Sequence, residues 1–153
     1  MAFTRSLILS LAFAAASFAA AQPVPSALST LASKARIDGA IVSWCRGEFR
    51  SRRAGAYAVA VGTAIGGRYV ILESDATVVE LAPFTGGADL SCYTPAEARK
   101  LNQAIRDSVT IDGEITPSWR TTVVCGFVED TRALCWQHSP AKGVFVQIGE
   151  WIT

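Results

Sequence analysis

The sequence is poor in the residues that build most active sites. It has one histidine, His138, among 153 residues, and no Gly-x-Ser-x-Gly elbow of the kind that carries a serine nucleophile. His138 with Cys125 and Cys135 makes three zinc ligands, and no fourth is evident. The sequence therefore predicts no metal, no cofactor and no named reaction, and favours a protein that is not an enzyme.

The chain also lacks an excess of charge of either sign. It carries 14 basic and 13 acidic side chains, and only Arg5 falls within residues 1–21, which leaves 13 basic against 13 acidic (14 − 1 = 13) beyond that segment. This balance argues against a general nucleic-acid or membrane-surface binder. The distribution is uneven, however, since residues 22–53 hold six basic and two acidic groups.

An apolar run that is interrupted only by serines lies at the amino terminus. It follows Arg5 and ends in Ala19-Ala20-Ala21 before Gln22, the small-residue pattern that signal peptidase recognises. The run is shorter than the roughly 20 apolar residues that a membrane span needs. We therefore expect residues 1–21 to be a cleavable signal peptide and residues 22–153 to form a single exported domain. Its location would be the periplasm or the extracellular medium, without integral membrane association; the oligomeric state stays open.

Four cysteines remain in the exported part, and an even number in an oxidising compartment indicates disulfides. Cys125 and Cys135 lie on two strand-like runs joined by a short turn, where pairing them sets Phe127 opposite Ala133. Of the three possible pairings we favour this one, which leaves Cys45 with Cys92. Disulfide sulfurs are not thiolates, so a cysteine nucleophile is also disfavoured.

Hydrophobic periodicity predicts an α+β domain dominated by antiparallel strands. An amino-terminal helix over 24–36 should end near Gly39. The motif Thr94-Pro95-Ala96-Glu97 is a capping box that begins a second helix over 94–107. Short turns join most strands, so we expect one sheet of about six or seven strands that is mainly antiparallel, with the capped helix on one face. The strands are predicted at 40–45 (extending towards 49), 56–63, 68–73, 77–81, 121–127, 132–137 and 144–152.

The strand predicted at 56–63 alternates between two kinds of side chain. Tyr57, Val59 and Val61 share one side, whereas Ala56, Ala58 and Ala60 share the other. Small residues let a helix approach closely, so we expect helix packing on the alanine side.

The most asymmetric surface feature is a tryptophan–arginine segment that we take as the candidate binding site: Trp44, Arg46, Arg50, Arg52 and Arg53. Arginines at alternate positions of an extended strand can bind carboxylates or phosphates through their guanidinium groups. Tryptophan and arginine are also enriched at the centres of binding interfaces. The candidate partners are an anionic protein or an envelope polymer. The alternative is an exposed hairpin whose charges keep it soluble and discourage strand pairing.

Three functions remain open at this point. The first is a small binding, inhibitor or envelope accessory protein that acts through the tryptophan–arginine segment. The second is a secreted hydrolase that uses paired carboxylates, for which the candidates are Glu73 with Asp75, Asp112 with Glu114, and Glu129 with Asp130. The third is a structural component of the cell envelope.

Overall fold

Two helices and eight strands are present in the part of the chain that the structure describes. The structure is a computed structural model that describes residues 22–50, 56–63, 65–108 and 113–152. In chain order the elements are α1 (Ser26–Lys34), β1 (Ala40–Gly47), β2 (Ala56–Thr63), β3 (Gly66–Leu72), β4 (Val78–Thr85), β5 (Leu90–Tyr93), α2 (Pro95–Ser108), β6 (Val123–Glu129), β7 (Arg132–Ser139) and β8 (Val144–Ile152). The predicted signal peptide, residues 1–21, lies outside these ranges.

The strands form two antiparallel sheets instead of the single sheet that we expected. Sheet 1 has the order β1-β2-β3-β4, and sheet 2 has the order β5-β6-β7-β8. The fourth strand runs on to Thr85, beyond the predicted end at 81, and it tolerates Pro83 because an edge strand needs ladder N–H groups on one side only. After Gly86, which has a φ of 82°, the chain starts sheet 2 with the short strand β5, which the sequence did not reveal.

The main core lies between the two sheets. Sheet 1 contributes small and large side chains that include Ala58, Ala60 and Tyr69, and sheet 2 contributes Val124 and Trp136. The Tyr69 hydroxyl donates its proton to the Phe127 carbonyl at 2.6 Å, with the Asp89 carbonyl as a second, longer contact at 3.3 Å, and so connects the sheets through polar contacts as well. The alanine side of β2 therefore faces the second sheet and not a helix, which corrects the expectation. The small side chains leave room for the Tyr69 and Trp136 rings.

Each sheet carries one helix on its outer face. Leu28 and Ala32 of α1 pack on the face of sheet 1 that holds Val59 and Val70. Helix α1 ends at Lys34, two residues before the predicted end at 36, and Arg36 follows it in the left-handed conformation, with a φ of 54°. Ala98 of α2 packs on the outer face of sheet 2 in the same manner. The layers therefore follow the order α1, sheet 1, sheet 2, α2.

The capping box forms at the start of α2. The amide of Thr94 donates to a Glu97 carboxylate oxygen at 2.7 Å, and the Glu97 amide donates to the Thr94 hydroxyl at 3.2 Å. The Thr94 amide is the largest cause of the lowered pKa of the Glu97 carboxyl, and the Thr94 hydroxyl also lowers it. The helix extends over Pro95–Ser108, within a residue of the prediction.

Both disulfides occur in the favoured pairing and they act on different layers. Cys45 of β1 is bonded to Cys92 of β5, so this inter-sheet disulfide joins sheet 1 to sheet 2. Cys125 and Cys135 are directly opposite on β6 and β7, and this cross-strand disulfide lies under α2. In the same ladder Phe127 stands opposite Ala133, which is the register that the sequence predicted.

Candidate binding surface

Trp44 and Arg46 lie on the outer face of sheet 1 at its free edge. Strand β1 is the first strand of the sheet, and Trp44 and Arg46 stand opposite Val59 and Tyr57 of β2. Opposed residues of an antiparallel pair point to the same face. Since Val59 and Tyr57 belong to the outer cluster under α1, the two candidate residues share that face.

The Trp44 ring is held by its neighbours. It is half-buried and packs edge to face on Tyr57, with ring centroids 6.0 Å apart and an angle of 68° between the planes. Its indole nitrogen is covered and has no hydrogen-bond partner among the described residues. The accessible part of the side chain is therefore apolar ring surface, which a partner can contact with little loss of side-chain entropy.

Arg46 and Arg50 differ in whether a neighbouring carboxylate offsets their charge. Arg46 is exposed and makes no ion pair with any residue that the structure describes. Arg50 forms an ion pair with Glu73, at the end of β3, and its charge also acts on Asp75. The two remaining candidates, Arg52 and Arg53, lie outside the described residues.

The support behind this surface is anchored to the second sheet. The amide of Glu48 donates to the Thr122 hydroxyl, and the Thr122 amide donates to the Glu48 carbonyl, both at 2.9 Å. Gly47 is needed between them, because a side chain there would meet the Thr122 methyl group at 2.7 Å. With the inter-sheet disulfide at Cys45, these contacts fix the backbone on both sides of Arg46. We name Trp44 and Arg46 together with this support the Trp44–Arg46 surface.

The candidate carboxylate pairs do not converge in the described residues. Asp75 accepts a hydrogen bond from the Thr77 amide at 2.9 Å, and this contact is the largest cause of its lowered pKa. A general acid needs the opposite shift. Glu129 and Asp130 are exposed at the β6–β7 turn, on the opposite end of the sheets from Asp75.

The remaining pair extends beyond the described ranges. Glu114 is exposed, whereas Asp112 lies outside them.

His138 is buried on β7 and packs edge-on against Phe145, with 5.4 Å between ring centroids. Neither ring nitrogen has a hydrogen-bond partner in the described part of the chain. Within the same ranges there is no group of three histidine, cysteine or acidic side chains placed to hold a metal ion.

Two buried amides that the sequence analysis did not single out hold the segment between α2 and β6. Gln137 is fully buried; its amide group donates to the carbonyls of Trp119 and Thr121 at 3.0 and 2.8 Å, and its oxygen accepts from the amides of Ser118 and Trp119 at 3.1 and 3.3 Å. Asn102 of α2 bonds both main-chain groups of Ile115, at 2.6 and 3.1 Å. A lone glutamine in a strand carries no periodic signal, so only the alternation of neighbouring apolar residues hinted that position 137 is buried.

Comparisons with protein-family models, curated proteins and solved structures give no match. In the ranges that the structure covers, no helix has both the length and the apolar character for a membrane span.

Proposed function

We propose that this chain is an exported, non-enzymatic binding protein that recognises an anionic partner through the Trp44–Arg46 surface. The partner class is an acidic protein or an anionic envelope polymer. Export is supported by the leader-like segment 1–21 and by the two disulfides, which suit an oxidising compartment. The single observation that carries the binding proposal is the exposed guanidinium of Arg46, which makes no ion pair with a described residue, on the same sheet face as the Trp44 ring that packs on Tyr57.

The chemistry of the two side chains fits this role. An arginine can bind a carboxylate or phosphate with two parallel hydrogen bonds, a geometry that lysine does not reproduce. A neighbouring tryptophan ring adds apolar contact area, and the two residue types are enriched among those that dominate binding energy. The ion pair with Glu73 offsets the charge of Arg50, so we assign the leading contact to Arg46 and a supporting one to Arg50. Arg52 and Arg53 stay in the proposal as sequence neighbours of this surface.

Charge reversal at Arg46 tests the proposal. The mature chain, residues 22–153, is titrated with fluorescently labelled poly-glutamate, and is also immobilised to capture partners from the native secretome. We expect Arg46→Glu to weaken poly-glutamate binding by roughly tenfold, since it replaces an attraction by a repulsion. Poly-lysine is the probe of opposite charge and should not bind at this surface.

The matched control is Lys100→Glu, which makes the same change of charge on α2, against the other sheet. The site assignment is wrong if Lys100→Glu weakens binding as much as Arg46→Glu, or if Arg46→Glu leaves every captured partner bound. Self-association of the purified chain at micromolar concentration, without binding of either polymer, would favour the structural-component alternative.

A further inference from the structure

A second surface lies at the opposite end of the sheets from Arg50, where β4 meets sheet 2. A hollow of about 290 Å³ opens there between Ala82, Pro83 and Phe84 on one side and Val128 and Leu134 on the other. Strand β4 is the second edge strand of sheet 1, opposite β1, and Leu134 of β7 lines the hollow beside it. We call this feature the β4–β7 hollow.

Two exposed aliphatic side chains lie at the same end of the sheets as the hollow. Ile152 is 44% exposed and stands opposite Arg132, which lines the hollow. Ile65, at the β2–β3 turn, is 85% exposed, and its carbonyl accepts a hydrogen bond from Gly86 at the end of β4. These are two of the four large apolar residues that are exposed in the described part of the chain, and both lie at this end. Contiguous apolar patches on a soluble protein commonly mark interaction sites.

The rim of the hollow carries more negative than positive charge. Glu129 lines it, and Asp130 follows in the β6–β7 turn with its carboxylate against Gly86. Both are exposed and make no ion pair with the described residues. The guanidinium of Arg132 is already paired with Glu150 at 2.7 Å, so it does not offset these two carboxylates.

The geometry points to the β4–β7 hollow as a docking site for an extended polypeptide segment in which an aliphatic side chain is flanked by lysine or arginine. The aliphatic side chain enters the hollow, and the basic side chains lie beside Glu129 and Asp130. Pro83 lacks an N–H group, which prevents a continuous ladder along β4. The side-chain hollow and the charged rim, not backbone pairing, therefore carry the recognition. This site is independent of the Trp44–Arg46 surface.

The test uses the ¹⁵N-labelled mature chain and the peptide acetyl-Lys-Leu-Lys-Val-Lys-amide. We expect the peptide to shift the amide resonances of residues 82–85 and 128–134. The double variant Glu129→Lys/Asp130→Lys should bind roughly tenfold more weakly, because it reverses both free rim charges. Filling the hollow with Ala82→Phe should abolish the shifts, and the dispersion of the spectrum reports whether each variant is folded.

The single variant Glu129→Lys should also weaken binding, and its matched control is Glu48→Lys, which makes the same change of charge at the opposite end of the sheets and should leave binding unchanged. Several results would overturn the inference. The first is that a peptide with glutamate in place of lysine binds as tightly as the original peptide. The second is that a peptide with serine in place of leucine and valine does so. The third is that the control variant weakens binding as much as the rim variant. Sedimentation as a dimer that Ala82→Phe converts to a monomer would overturn it as well, because a second copy of the chain would then occupy the hollow.

Discussion

Replacement of Gln137 by leucine should destabilise the protein more than its small change in volume suggests. Four hydrogen bonds connect this side chain to residues 118–121, and leucine can make none of them. Each such bond contributes about 1 kcal/mol net, and a buried group left without a partner costs more. Water can reach part of the half-exposed segment and replace some of the bonds. We therefore expect Gln137→Leu to lower the free energy of unfolding by about 3 kcal/mol.

Urea denaturation of the mature chain measures this effect. The midpoint should fall while the slope stays unchanged, because the variant alters contacts and not the area exposed on unfolding. Hydrogen exchange provides a local readout, since the amides of Ser118 and Trp119 should lose protection. Gln147→Leu is the matched control, because Gln147 is exposed on β8 of the same sheet. Its free energy of unfolding should change by less than about 0.5 kcal/mol. The reasoning fails if the two variants lose equal stability, or if Ser118 and Trp119 keep their protection in Gln137→Leu.

Three further perturbations follow from the same structure. Burial raises the pKa of the Tyr69 phenol from 10.0 to about 12, so the unfolded chain loses this proton first. Stability should therefore fall between about pH 10 and 12 in alkaline urea titrations, and Tyr69→Phe should weaken that fall. Loop-closure entropy assigns about 4 kcal/mol to the inter-sheet disulfide and about 3 kcal/mol to the cross-strand one, so paired serine substitutions should rank in that order in urea. Thr94→Ala should cost about 1 kcal/mol by removing the helix cap. Because the pKa of Glu97 is lowered, its carboxylate should lose its contribution to the cap as the solution is acidified through that pKa, and acid denaturation should therefore show a smaller difference in stability between the native chain and Glu97→Gln at low pH than at neutral pH.

The elements of the fold could be predicted wherever the signal was local. The capping box at Thr94 and the register around Cys125 and Cys135 depend on residues that are close in sequence, and the structure places both as expected. The division into two sheets depends instead on where the chain leaves one sheet. The chain passes from sheet 1 to sheet 2 after Gly86, through the strand β5. This strand has four residues, which is too short to carry a periodic pattern.

The alanine side of β2 shows a second limit of local patterns. Small side chains indicate that something approaches closely, but they do not identify it. In the structure the approaching layer is sheet 2, whose Trp136 belongs to the same core cluster as Ala58 and Ala60. Helix α1 covers the larger side chains of the opposite face.

Part of the candidate surface could also be predicted from local sequence, and part of it depends on contacts between distant residues. Trp44 and Arg46 are two positions apart on one strand, so their common face could be inferred from the alternation of a β-strand. The pairing of Arg50 with Glu73 connects different parts of the chain, and no spacing in the sequence revealed it. A count of arginines therefore overstates the free positive charge of this segment. If electrostatic attraction drives binding there, Arg46→Gln should reduce the dependence of binding on salt more than Arg50→Gln does, because an arginine already paired with a carboxylate adds little net charge for a partner to neutralise.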